Sequence, residues 1–153
     1  MKKTLFFSVL IQSPRRVVWN MMLGPDGYRV WTAAFMEGCY FTGSWEKGEK
    51  IHFLAPGGDG MTAVIAENRL YEYVSIQHLG EISAGVEDTT SPKVLAWAPA
   101  YENYSFADSG AGTEVTVALD TAAEWEKFMM NTYPKALALL KESCESHSSS
   151  RDA

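Results

Sequence analysis

One long amphipathic pattern near the C-terminus constrains the fold of this chain more than any other feature. Apolar residues recur at spacings of three and four from Trp125 to Leu140, which predicts a helix with a single apolar stripe. A capping box at 121–124 favours a start near Ala122, and Pro134 predicts a kink. We expect a helix over 122–142, and its stripe must be buried against another element.

The residues before this helix favour an antiparallel sheet. Residues 113–120 alternate between apolar and polar side chains. Short turns at 46–49, 56–60 and 109–112 contain glycine and separate other strand-like segments. We therefore expect about six antiparallel strands between 38 and 120.

The order of elements predicts the α+β class. A first strand at about 5–12 precedes two short helices at about 14–23 and 26–34, and then the strands and the long helix follow. A strongly curved sheet that grips one helix often leaves a cavity between them, and we expect one here. No repeat or linker is present, so we expect a single domain over 1–145 and a disordered tail at 146–153.

The charge and composition argue against several classes of protein. Thirteen Lys and Arg residues against nineteen Asp and Glu give a net charge of −6, which disfavours nucleic acid as a partner. No apolar stretch is long enough to predict a membrane span. The basic start and apolar run at 1–11 resemble a secretion signal, but no cleavage site follows. A β-strand is the preferred interpretation, and we expect a cytoplasmic protein.

The cysteines and histidines predict neither a disulfide nor a metal site. Cys39 and Cys144 are far apart and have no CxxC spacing, so reduced thiols are expected. His52, His78 and His147 lack the spacing of metal ligands. We expect no metal and no cofactor.

Several local patterns occur in an order that is known from one superfamily. They are IQSP at 11–14 with Val17 and Trp19, YRVW at 28–31, GSW with Gly48, HLG at 78–80, ENYSF at 102–106, and the pattern at 125–142. On these residues the chain resembles the START-like superfamily, also called SRPBCC or the birch-pollen-allergen fold. Within it the chain is most similar to the branch named after the C-terminal domain of the heat-shock-protein-90 ATPase activator. It departs from that branch at Tyr133, where a Trp is usual, and residues 81–100 match no functional motif.

The resemblance covers about Thr4 to Glu142 and implies a helix-grip fold, but it does not imply one activity. The superfamily includes lipid and hormone carriers, cyclases, dehydratases and oxygenase domains. Members of this branch often carry the activator name without the chaperone-binding domain, for which this chain has no room. We therefore expect no stimulation of a chaperone ATPase by this chain alone.

The candidate ligand-binding residues are those that such a grip would place between the sheet and the long helix. They are Trp31, Phe35, Phe53, Ile76, His78, Tyr104, Phe106, Trp125, Phe128 and Met129. His78 is either a polar group inside an apolar pocket or, as is more common, a buried histidine bonded to backbone. Glu102 shares a strand face with Tyr104, but solvation at the surface is the usual fate of such a carboxylate. No catalytic residue is recognisable.

Three functions fit these observations. The first is the binding of a hydrophobic small molecule such as a lipid. The second is a cyclase or hydrolase type of enzyme that uses His78 as acid or base, which an inward carboxylate or tyrosine in contact with His78 would favour. The third is a chaperone-cofactor-like protein-binding module, which a filled interior and an exposed apolar patch would favour. A homodimer remains open.

Overall fold

A computed structural model describes residues 2–152, with side chains as far as Ser146. Its eight strands form one antiparallel sheet in the order β1-β8-β7-β5-β4-β3-β2, and the short β6 pairs with β5. The strands are β1 (Lys2–Ile11), β2 (Tyr40–Gly43), β3 (Lys50–Leu54), β4 (Gly60–Arg69), β5 (Tyr73–Ser83), β6 (Val86–Asp88), β7 (Ala100–Ser109) and β8 (Gly112–Ala122).

The helices are few, and one dominates. They are α1 (Arg15–Leu23), α2 (Pro25–Trp31), α3 (Pro92–Leu95) and α4 (Glu126–Asp152), with 3₁₀ turns at Thr32–Ala34 and Ala123–Trp125. Helix α4 contacts β1, α1 and α2. The predicted α+β class, with a long C-terminal helix on a curved antiparallel sheet, is confirmed.

The core lies between the sheet and α4. Alternation along β5 turns Val74, Ile76 and His78 to one face, where all three are buried. Helix α4 contributes Tyr133, Ala136, Leu137, Leu140 and Cys144, which recur at the expected helical spacing. Pro134 lies within this helix, as the sequence indicates.

Several local predictions are corrected. Pro14 is the N-cap of α1, and the Ser13 hydroxyl donates to the Cys144 carbonyl at 3.2 Å. The predicted capping box is wrong, because a 3₁₀ turn with no side-chain cap precedes α4. The irregular segment 81–100 contains β6 and α3.

Other expectations concern the tail, the thiols and the membrane. Helix α4 continues to Asp152, whereas Ala153 and the side chains after Ser146 lie outside the described residues, and tail disorder stays a prediction. Both cysteines are free. Within the described residues no helix is long and apolar enough to cross a membrane, and no acidic, His or Cys cluster could hold a metal ion.

Candidate functional site

Four polar side chains meet inside the apolar interior, and we call them the polar cluster. His78 comes from β5, Glu102 and Tyr104 from β7, and Tyr133 from α4. His78 Nε2 lies 2.9 Å from Glu102 Oε1. The Tyr104 hydroxyl donates to Glu102 Oε2 at 3.0 Å, and the Tyr133 hydroxyl donates to the same oxygen.

Strand pairing brings this cluster together. On β5 and β7, Ile76 lies opposite Glu102, and His78 lies opposite Ala100. His78 and Glu102 are therefore diagonal neighbours on one face, within reach of long side chains. Tyr104 follows Glu102 by two residues and shares that face, and α4 brings Tyr133 over it.

The carboxylate of Glu102 is ionised although it is largely buried. The side chain of His78 is 7% exposed and that of Glu102 is 16% exposed. Burial raises the pKa of Glu102, but the hydrogen bonds from His78 and from the two tyrosines lower it by more. The net pKa lies below its ordinary value.

The tyrosines remain protonated donors. Burial, and then the negative charge of Glu102, raise the pKa values of Tyr104 and Tyr133 well above the ordinary value. The same two causes raise the pKa of Tyr28. Each hydroxyl of the cluster therefore keeps its proton and donates a hydrogen bond to the carboxylate.

One atom of the cluster has no partner. Among the described side chains, the buried nitrogen and oxygen atoms that lack a hydrogen bond are His78 Nδ1 and Trp45 Nε1. When Nε2–H donates to Glu102, the neutral imidazole presents a bare lone pair at Nδ1. The His78 partner is thus a carboxylate and not backbone, and the surface position favoured for Glu102 is wrong. The alternation of β7 was the signal for an inward Glu102.

Aromatic rings surround the polar cluster. The Tyr133 ring stacks on Phe7 at 5.0 Å between centroids and meets Phe35 edge-on at 5.1 Å. Phe53 lies 5.6 Å from the His78 ring. Trp31, Tyr104 and Tyr133 are among the largest fully buried side chains, so rings occupy the space between the sheet and α4.

The ten predicted ligand-binding residues divide by depth. Those in the core are Trp31, Ile76, His78, Tyr104 and Phe106. Those half-buried around it are Phe35, Phe53 and Met129. Trp125 and Phe128 are exposed by 55% and 41%. Glu102 and Tyr133, which the list lacked, are central to the cluster.

A line of rings joins the surface to the polar cluster. Trp125 contacts Phe128 at 6.0 Å, Phe128 contacts Phe35 at 6.4 Å, and Phe35 contacts Tyr133. We call these four rings the aromatic path. It runs from the exposed start of α4 to the hydroxyl that binds Glu102.

Two surface depressions lie away from the polar cluster. One, of about 230 Å³, is lined by Trp19, Asn20, Leu23, Gly24, Trp45, Asn68 and Leu70. The other, of about 260 Å³, is lined by Val30, Leu139, Glu142, Ser143 and Ser146. None of the ten predicted residues lines either depression, so their role in ligand binding stays a prediction.

A second carboxylate cluster lies on the outer side of β3 and β4. Glu87 of β6 accepts hydrogen bonds from Thr62 at 2.5 Å and Lys50 at 3.1 Å, and its Oε1 lies 2.8 Å from His52 Nε2. Hydrogen bonds from Thr62, Lys50 and His52 lower the pKa of Glu87 to about 2. Both oxygens of Glu87 are occupied. Because their partners lie on β3 and β4, this cluster ties β6 to the sheet.

Solved structures of low sequence identity share this architecture. The Aha1 dimer from Colwellia psychrerythraea has a TM-score of 0.72 and 16% identity, over 94% of this chain and 96% of that chain. Protein NE0264 from Nitrosomonas europaea has a TM-score of 0.69 and 10% identity, over 95% and 96%. CalU16 from Micromonospora echinospora has a TM-score of 0.62 and 15% identity, over 92% and 65%.

This chain has a helix-grip fold, in which a curved antiparallel sheet holds one long C-terminal helix. No family model matches the sequence, and no curated protein matches it. At these identities the likeness shows the fold and does not indicate an activity.

Two observations in this helix-grip protein bear on the alternatives. His78 points inward and contacts an inward carboxylate, which favours acid–base chemistry. Rings fill the interior, and Trp125 and Phe128 are exposed, which favours a protein-binding surface.

Proposed function

We propose that this helix-grip protein binds a small hydrophobic molecule between the sheet and α4, with the polar cluster as the element that orients it. The observation that carries the proposal is the buried, unpartnered Nδ1 of His78. Leaving such an atom unpaired costs about 1–3 kcal/mol, and a bound ligand that pairs with it recovers this cost. The aromatic surroundings supply apolar surface for the rest of the molecule.

The aromatic path supports an entry route. Phe35 is half-buried and lies between the exposed Phe128 and the buried Tyr133. Phe53 is half-buried on the other side and covers His78. Rotation of partly exposed rings is fast, and their displacement gives a ligand room beside His78.

The tryptophans provide a test that also locates the ligand. We would titrate naphthalene and follow the indole N–H signals by NMR. Trp31 reports on the interior, Trp19 and Trp45 on the first depression, and Trp125 on the outer end of the aromatic path. The proposal predicts the largest shift at Trp31. Shifts confined to Trp19 and Trp45, or to Trp125, would contradict it.

A second candidate function is acid–base catalysis, and the contact between Glu102 and His78 favours it. Glu102 holds Nε2–H, so that Nδ1 is free to accept a proton, which is the arrangement of a base with its orienting group. The reporter reaction is the ring opening of 5-nitrobenzisoxazole, in which a base removes one C–H proton while the N–O bond breaks. We expect the protein to react faster than free imidazole at the same concentration. Equal rates in the wild type and in Glu102→Gln would count against this candidate.

A third candidate is a protein-binding surface at the start of α4, where Trp125 and Phe128 pack together in solvent. A second copy of this chain is the partner to test first, because the structurally similar Aha1 protein is a dimer. Sedimentation of the wild type and of Phe128→Ser distinguishes the cases. A dimer that Phe128→Ser converts to a monomer supports the surface, and a wild-type monomer opposes self-association.

A further inference from the structure

We infer that the ligand of this interior carries a neutral hydroxyl that donates a hydrogen bond to His78 Nδ1, and that anions are rejected. The class is that of aromatic alcohols, and not carboxylates or ketones. The inference rests on the proposed function and makes it specific. It follows from where the hydrogens and the charge of the polar cluster are.

The hydrogen-bond donors of the polar cluster all serve one carboxylate. An ionised Glu102 only accepts hydrogen bonds. The ring nitrogen Nε2 of His78 and the hydroxyls of Tyr104 and Tyr133 each direct their one hydrogen to this carboxylate. All three hydrogens are thereby used. The polar cluster therefore presents lone pairs to a ligand, and the lone pair at Nδ1 has no partner.

A ligand group that matches the polar cluster is a hydrogen-bond donor. A ligand hydroxyl brings the missing hydrogen to Nδ1. A ketone or ether oxygen would set lone pair against lone pair and leave both buried atoms unpaired, which is unfavourable. The cluster therefore distinguishes a donor from an acceptor of equal size.

The charge of the polar cluster disfavours a negatively charged ligand. Within residues 2–146, His78 is the basic side chain that pairs with Glu102, whereas the described Lys and Arg pairs are formed with other carboxylates. Glu102 carries the negative charge of the cluster. A ligand carboxylate would meet this charge where water screens poorly. Free fatty acids and other anions are therefore disfavoured.

Aromatic rings determine which apolar ligand body fits beside the polar cluster. The rings next to His78 and Tyr133 are Phe53, Phe35 and Phe7. Flat apolar faces of this kind pack well against a planar ring system. A fused aromatic alcohol satisfies both the rings and Nδ1.

The experiment compares four naphthalenes by calorimetry at pH 8. They are naphthalene, 1-naphthol as donor, 1-acetylnaphthalene as acceptor, and 1-naphthoate as anion. We expect 1-naphthol to bind the wild type about tenfold more tightly than 1-acetylnaphthalene, which is about 1.4 kcal/mol. We expect 1-naphthoate to bind most weakly.

The variant Glu102→Gln should reverse this preference. Its amide oxygen can still accept from the two tyrosines, which leaves the amide N–H₂ facing His78 Nε2. Nε2 then accepts, and the proton moves to Nδ1, which becomes a donor. We expect Glu102→Gln to bind 1-acetylnaphthalene more tightly than 1-naphthol. Glu87→Gln, which alters the other glutamate–histidine contact, should leave the wild-type order unchanged.

The outcomes separate the two claims. If the naphthalenes shift the Trp31 signal but 1-naphthol is no tighter than 1-acetylnaphthalene, the inference is overturned and the proposed function stands. If no compound binds the wild type, both are overturned. The wild-type comparison decides the matter even where Glu102→Gln does not fold.

Discussion

Glu102 Oε1 lies 2.9 Å from His78 Nε2, although the two residues are not directly opposite in the strand register. In the pairing of β5 with β7, His78 lies opposite Ala100 and Glu102 lies opposite Ile76. The diagonal contact leaves one histidine nitrogen bound and the other bare. A buried acidic group and a buried lone pair are thus built into a core that is otherwise aromatic.

The buried carboxylate gives the fold a specific acid sensitivity. Because the folded pKa of Glu102 lies below its ordinary value, this group contributes stability that is fully present above about pH 4.3 and is lost as the pH falls through the folded pKa. The wild type should therefore lose more melting temperature between about pH 5 and pH 3 than Glu102→Gln. Thermal melts by circular dichroism across this range measure the difference. Parallel curves would show that Glu102 is not ionised in the fold.

Tyr133→Phe isolates one hydrogen bond to that carboxylate. The ring contacts with Phe7 and Phe35 remain, and the hydroxyl that donates to Glu102 is removed. A hydrogen bond to a charged group contributes about 1.5–3 kcal/mol, so we expect the free energy of unfolding to fall by that amount. Urea unfolding provides the measurement. The control is Tyr101→Phe, whose hydroxyl accepts a bond from Gln77 at the surface, and an equal loss in both variants would contradict the expectation.

Glu87 gives the fold a second source of acid sensitivity. Its pKa is lowered to about 2 by hydrogen bonds from Thr62, Lys50 and His52, so its contribution is complete above about pH 4.3 and disappears as the pH falls towards the folded value. Glu87→Gln should accordingly be less stable than the wild type at pH 6 and close to it at pH 2. Melting at the two pH values tests this. The matched control is Glu114→Gln, an exposed position on β8, and the result would be contradicted if both variants behaved alike.

The two thiols should differ in reactivity. Burial, and then the charge of Glu145, raise the pKa of Cys144 to about 12. Burial also raises the pKa of Cys39, but this residue is only half-buried. Since the thiolate is the reactive form, a chromogenic disulfide reagent at pH 8 should label Cys39 slowly and Cys144 only after denaturation. Equal rates for both in the native protein would be the opposing result.

The sequence predicted the class of fold because its two periodicities are strong. Alternation along β5 and β7 also indicated which residues share a face, including Glu102 with Tyr104. What it lacked was the register between the strands, since pairing is decided by the packing of the whole sheet. The contact of His78 with Glu102 depends on that register. The expectation that Glu102 lies at the surface was also wrong, because it followed the usual solvation of a lone carboxylate.

The long helix shows the same distinction. Helical periodicity identifies the apolar stripe of α4, but it does not tell how much of the stripe the sheet covers. Tyr133, Leu137 and Leu140 are buried, whereas Phe128 on the same stripe is 41% exposed. The start of α4 therefore lies beyond the covered part of the core.

This difference changes what is expected of Phe128→Ala. A buried phenylalanine would cost about 3–5 kcal/mol on truncation, but Phe128 leaves little cavity because solvent already reaches it, and we expect about 1 kcal/mol. Leu137→Ala, on the covered part of the stripe, should cost about 2–5 kcal/mol. Urea unfolding of the two variants, with naphthalene binding measured on each folded protein, tests the role of the aromatic path. If Phe128 belongs to an entry route, its truncation should change the rate of naphthalene binding, although the free energy of unfolding falls by only about 1 kcal/mol. A stability loss as large as that of Leu137→Ala would instead place Phe128 in the core.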